Sequence, residues 1–273
     1  MKSSKTFAIC SAALLGMAGN LPTVAATVVP GGGVGTQTWT AAASPYVIQG
    51  DIFIYGPGQT LTLGPGTVVQ LAGTDSLAGG YDVSRVEIAV AGTLVFDATT
   101  NSPVQMGPEV GSNPASWWGL RVQSGGVLQV APSTKLTGTF YLLTGSSFSG
   151  YGASLNGDLA LGQGAIFSGG LPDVAVPAGT TYTIFDLAPG HTVSGTFLDL
   201  PEGAVFDAGA NRFFITYHGG SGNDVLAQAV PEPPARVLAL AGLAALAFLA
   251  RRRRGEPAAR VSLRGDRARG AQA

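Results

Sequence analysis

The chain has 273 residues, of which 41 are glycine and 17 proline, so about a fifth of its positions are backbone punctuators. Only 11% of residues are charged and 45% are apolar, which excludes a disordered polar chain, a coiled coil and an ordinary charged cytosolic enzyme. The glycines follow no every-third period, which excludes collagen. The net charge of −1 is unevenly spread: residues 27–230 hold four basic residues (Arg85, Arg121, Lys135, Arg212) against thirteen acidic ones, whereas residues 251–273 hold eight arginines against Glu256 and Asp266. Such a body has no basic stripe to neutralise phosphates, so nucleic acid is not an expected partner.

Residues 1–26 have the order of a secretory signal peptide: Lys2 and Lys5, the apolar stretch Phe7 to Ala18, then small residues at Val24-Ala25-Ala26 ahead of a cut before Thr27. The alternative is a short buried helix. The single cysteine, Cys10, lies inside this segment, behind Ile9 where a lipoprotein signal wants a small residue. The exported chain is therefore expected to have no disulfide, thiolate metal site or thiol nucleophile. Residues 27–45 read as a linker.

From residue 46 to 229 the pattern is β throughout. Asp51-Ile52-Phe53-Ile54-Tyr55, Thr60-Leu61-Thr62-Leu63 and Thr67-Val68-Val69-Gln70-Leu71 are short β-rich runs separated by Gly56-Pro57-Gly58 and Gly64-Pro65-Gly66. No segment of the body sustains a helical apolar stripe. A glycine followed by a Leu-x-apolar run recurs with its leucine at Leu61, Leu94, Leu128 and Leu159. A period of about 30 residues without helices fits rungs of a parallel β-solenoid, each stacking its apolar residues on the next. A β-sandwich with evenly spaced strands is the alternative. Residues 46–122 resemble the first coils of a right-handed parallel β-helix, through Gly50-Asp51-Ile52, Leu61 to Val69, Val90-Ala91-Gly92-Thr93-Leu94 and Trp118-Gly119-Leu120-Arg121-Val122. Residues 180–226 resemble the closing stretch of autotransporter-passenger β-repeat proteins, through Thr180 to Phe185, Leu200 to Ala204 and Phe214 to Tyr217. The expected fold is thus all-β: a single-chain right-handed parallel β-helix (β-solenoid) body with an N-terminal signal helix and a C-terminal single transmembrane helix.

Candidate chemistry in the body is sparse. Gly219-Gly220-Ser221-Gly222-Asn223-Asp224-Val225-Leu226 matches one calcium-binding β-roll nonapeptide, but one copy cannot supply the facing turn, and a glycine-rich final turn is the plainer reading. His191 and His218 stand in no metal-ligand spacing, and no Gly-x-Ser-x-Gly elbow opens a helix. The acid pairs Asp82 with Glu87 and Asp97 with Glu109 are the nearest to a glycosidase dyad, in surroundings that read as solvated turn ends. Trp117 and Trp118 are placed either to stack on sugar rings or to fill a rung of the core. No cofactor, metal or catalytic residue is expected.

Pro231-Glu232-Pro233-Pro234 follows the body, then the uncharged apolar run Val237 to Ala250, then Arg251-Arg252-Arg253-Arg254 and a basic tail to Ala273. The prolines mark where a helix begins. The apolar run spans about 21 Å as a helix, between a short membrane span and a buried helix. The four arginines, which snorkel at the interface and hold the cytoplasmic side, favour the span. A Pro-Glu-Pro triplet, an apolar helix and an Arg cluster ending a secreted chain resemble the PEP-CTERM protein-sorting signal, over residues 230–254. The resemblance implies recognition of Pro231, Glu232 and Pro233 by an exosortase, with residues 237–250 as the span and Arg251, Arg252, Arg253 and Arg254 as the stop. It also implies transient anchoring in the inner membrane of a Gram-negative bacterium, removal of the tail, and delivery to the cell surface or extracellular matrix, where exopolysaccharide is a candidate partner. A structural or adhesive, non-enzymatic protein is expected. The alternatives are a polysaccharide-acting envelope lyase or glycosidase, favoured by carboxylates clustered in a concave groove, and a carbohydrate-binding module, favoured if Trp117, Trp118 and Tyr151 line one exposed face.

Overall fold

The computed structural model describes residues 25–231 together with Leu243 and Leu246. All but the end of the expected signal peptide, the apolar run apart from those two leucines, Glu232, Pro233, Arg251–Arg254 and the basic tail lie outside the described residues. Among the described residues the body is all-β, with helical geometry only in the single turns Ala41–Ala43 and Pro114–Ser116, and no helix is long and apolar enough to cross a membrane.

The strands fall into three sheets in strict rotation. Thr27–Val29, Gly32–Gly33 and Gln37–Trp39 give one strand to each; Tyr46–Ile48, Ile52–Ile54 and Thr60–Leu63 pair with them in parallel, and the rotation continues up the chain. A coil of chain therefore supplies one rung to each sheet, the arrangement of a β-solenoid-like body. Parallel strands buried on both faces read as continuous apolar runs. Here many strands instead alternate buried and half-exposed positions, as in Thr60–Leu63 and Thr93–Phe96, because one face meets the core and the other meets water, whereas Glu87–Val90 is buried throughout.

Register stacks like on like. In the second sheet Ile52, Ile88, Leu120, Phe140 and Leu159 sit on successive rungs; in the third, Leu61, Leu94, Leu128 and Phe148 do. All are buried in one core shared by the three sheets, and each such side chain contributes about 1.5–3 kcal/mol by leaving water. The repeat expected from the sequence holds for Leu61, Leu94 and Leu128. It fails at Leu159, which lies in the second sheet, while Phe148 takes the fourth rung of the third. The reason is coil length. The coils from Leu61 to Leu94 and from Leu94 to Leu128 match the expected period, but those from Leu128 to Phe148 and from Phe148 to Phe167 are far shorter. The short coils are the bare unit, and the longer ones add excursions such as residues 72–86 and 109–118.

Residues 27–45, expected as a linker, form the first coil instead. Their strands are very short, and Trp39 closes that end of the core by stacking on Tyr46 with centroids 4.5 Å apart. At the other end the first sheet changes direction. Thr181–Leu187 pairs in parallel with Ala153–Asn156 on one side and antiparallel with Asp224–Ala229 on the other; Asn211–Gly219 and Val205–Ala208 continue antiparallel. This hairpin apron supplies Phe206, Phe213 and Tyr217 to an aromatic cluster with Phe148, Phe167, Phe185 and Phe197, which covers the last coil.

Candidate functional site

The C-terminal junction is built by the last strand. Asp224–Ala229 is held between two antiparallel neighbours. Ala229 donates its N–H to the Thr180 carbonyl (2.8 Å) and accepts from Gly179 (2.7 Å); Val230 donates to the Arg212 carbonyl (2.8 Å). Pro231 follows at once, exposed, with no N–H to extend the ladder. The Pro-Glu-Pro triplet thus begins directly after the final backbone bond of the fold. Leu243 and Leu246 have helical backbone and are 63% and 65% exposed, so neither is buried in the body.

Of the four candidate acids, Asp97 and Glu109 stand at exposed strand ends as the sequence suggested, and Glu87 does not. Asp82 is tied to Arg85 at 2.6 Å and accepts from Ser84, and these bonds hold its carboxyl well below the usual range. Asp97 and Glu109 are both exposed, but they follow strands of different sheets. Glu87, expected at a solvated turn end, opens strand Glu87–Val90 and is 0% exposed. Its partner is Asp51, which the sequence marks only as the start of a β-rich run. Asp51 Oδ1 accepts the Glu87 N–H (2.8 Å), while Glu87 Oε2 accepts the Tyr81 N–H and Oε1 takes the Arg121 guanidinium at 2.8 Å. Asp51 Oδ2 is buried without a partner. Burial pushes the Asp51 carboxyl up to about 6, against the opposing pull of the Glu87 N–H. Both carboxylates converge on Gly80, where a methyl group would collide with them. The excursion carrying Gly79, Gly80 and Tyr81 therefore seals the pair, which makes it a buried structural dyad. Two signals could have marked it: the Gly79-Gly80 step, and a lone arginine inside the strand phrase Gly119-Leu120-Arg121-Val122.

The two adjacent tryptophans divide the roles offered to them. Trp117 is 2% exposed in the core and donates from Nε1 to the Thr137 carbonyl (2.9 Å). Trp118 lies half-buried outside it, stacked on Tyr141 at 4.5 Å. Tyr151 packs elsewhere, edge-on to Tyr182, so Trp117, Trp118 and Tyr151 do not line one face. His191 approaches Asn156 and Asp158, and His218 approaches Glu202. Gly219 to Leu226 spans the ends of two antiparallel strands and the turn at residues 220–223 between them, not one of a stack of parallel turns. Asp224 is occupied there by the Leu187 N–H (2.9 Å) and the Ser221 N–H.

Residues 229–254 match the family model of the PEP-CTERM protein-sorting motif. No curated protein and no solved structure matches the chain. The β-rich body ends at Ala229 and the matched motif starts at that same residue; the chain carries a PEP-CTERM protein-sorting motif joined without a spacer to its last strand.

Proposed function

We propose that the chain is an exported protein sorted by an exosortase, whose body serves a structural or adhesive role at the cell surface or in the extracellular matrix. In this reading residues 237–250 anchor it transiently in the inner membrane with Arg251–Arg254 on the cytoplasmic side, and the body is a right-handed parallel β-helix. The observation that carries it is the match of residues 229–254 to the sorting motif, beginning where the last strand ends. The segment from Pro231 to Val237 reaches at most about 25 Å. The body is then held against the membrane surface until the tail is removed. The sealing of Asp51 and Glu87 supports a non-enzymatic body over the rival polysaccharide-cleaving enzyme. Fractionation of cells with and without exosortase tests the reading. The body is expected in the surface or matrix fraction only when exosortase is present; a cytoplasmic body in both strains refutes it.

A further inference from the structure

We propose that the groove beside the second sheet, lined by Tyr141, Asp158 and His191, is a binding site for neutral hexopyranose chains. This rests on the adhesive reading and names the ligand class it would use. Three rings rise outside the core as a column: Tyr81 and Trp118 with centroids 5.1 Å apart, then Trp118 and Tyr141 at 4.5 Å. The Arg121 guanidinium lies 5.3 Å from the Tyr81 ring and 5.7 Å from the Trp118 ring. The column then stops. On the next rungs the residues in register with Tyr141 are Ala160 and Ser194, too small to cover its far face. A groove of about 250 Å³ opens beside it, lined also by Gly138, Gly157, Asn156, Asp158, His191 and by Arg85, whose charge is met by Asp82 at 2.6 Å. Asp158 is held by Thr192, whose N–H (2.8 Å) and hydroxyl (3.1 Å) both go to Oδ1, and its side chain is 53% exposed. Oδ2 is left to accept from a ligand.

An aromatic face bordered by a carboxylate, an imidazole and an amide is the set a pyranose ring needs. Its C–H face is apolar and electropositive and lies on the negative π-face, while its hydroxyls donate to Asp158 and exchange hydrogen bonds with His191 and Asn156. His191 Nε2 and Asn156 Oδ1 already meet at 3.1 Å, so the carboxylate of Asp158 is the principal acceptor offered to a ligand's hydroxyls. Bases also stack on aromatic platforms, but the phosphates between them would meet a body with four basic and thirteen acidic residues.

The test uses the full chain in detergent micelles. Trp39 and Trp117 are buried, so Trp118 is the solvent-facing member of the three tryptophans and reports on the site. Fluorescence is titrated with cellohexaose, chitohexaose, mannohexaose and a thymidine 20-mer. A saturable change with at least one hexasaccharide is expected, weakened about tenfold or more by Tyr141→Ala and by Asp158→Ala and kept by Tyr141→Phe; a tenfold change corresponds to about 1.4 kcal/mol. Asp158 is half-exposed, so Asp158→Ala carries the test if circular dichroism shows Tyr141→Ala to be unfolded. The proposal is overturned if no hexasaccharide gives a saturable change, if the thymidine oligomer binds more tightly than all three, or if folded variants bind like the parent. A chain that reaches the cell surface yet binds no hexasaccharide overturns this site alone and leaves the sorting reading standing.

Discussion

Replacing Arg121 by methionine isolates the buried carboxylates from the one guanidinium that pairs with them among the described residues. Glu87 is fully buried and Arg121 17% exposed, with Nη2 and Oε1 2.8 Å apart. The thioether retains much of the aliphatic packing, so the loss is chiefly that of charge. Glu87 then keeps the Tyr81 N–H at 3.1 Å and faces Asp51, whose Oδ2 has no partner. Leaving one partner of a buried pair uncompensated costs about 3–5 kcal/mol, a large share of a net stability of about 5–15 kcal/mol. In urea, with a slope of about 2 kcal/mol/M, the midpoint should fall by roughly 2 M at pH 7.5. Asp51, pushed up to about 6, is protonated at pH 5, which removes one negative charge beside the stranded Glu87, so the loss should shrink there. The double variant Glu87→Gln/Arg121→Met should regain most of the stability at pH 7.5. An equal loss at both pH values, or a double variant no better than the single one, would refute this account of the dyad.

Three further substitutions test neighbouring points. Asp51 has a folded-state pKa near 6 against 3.8 for the free group, so folding favours its protonated form and stability falls as pH rises through 6. Urea titrations should give about 1 kcal/mol less stability at pH 7.5 than at pH 5, and Asp51→Asn should remove this contribution. Leu94→Ala empties the rung between Leu61 and Leu128 and should cost about 3 kcal/mol in the same assay; a cost below about 1 kcal/mol would mean that the rungs do not share one packed core. Gly150 has φ 126°, and an added Cβ would collide with the Val130 carbonyl, so Gly150→Ala should lower the thermal midpoint by several degrees, where an unstrained Gly→Ala change would raise it.

Much of the fold was legible because it is written in short-range pattern. Runs such as Thr60-Leu61-Thr62-Leu63 alternate with the period of a half-buried strand, and glycines separate them. What escaped depends on register and coil length. Leu159 repeats the local pattern of Leu128, yet it sits in another sheet because the coils after Leu128 lose their excursions and shorten. Gly32–Gly33 carries no β propensity at all; it pairs because Ile52–Ile54 offers its edge. Asp51, Glu87 and Arg121 meet only because neighbouring rungs bring together residues that are distant in sequence, and their burial is set by an excursion that folds back over them. The column formed by Trp118 and Tyr141 hides for the same reason. The sorting motif is the opposite case: it lies in one linear stretch, residues 229–254, and is legible without any fold.

The mass of the mature protein tests the central claim most directly. Intact-mass spectrometry of the chain recovered from the cell surface should show a species ending near the Pro-Glu-Pro triplet and lacking Arg251–Arg254, and deletion of exosortase should return the arginine-bearing form to the membrane fraction. A surface species that retains residues 237–254, unchanged by the deletion, would contradict the account.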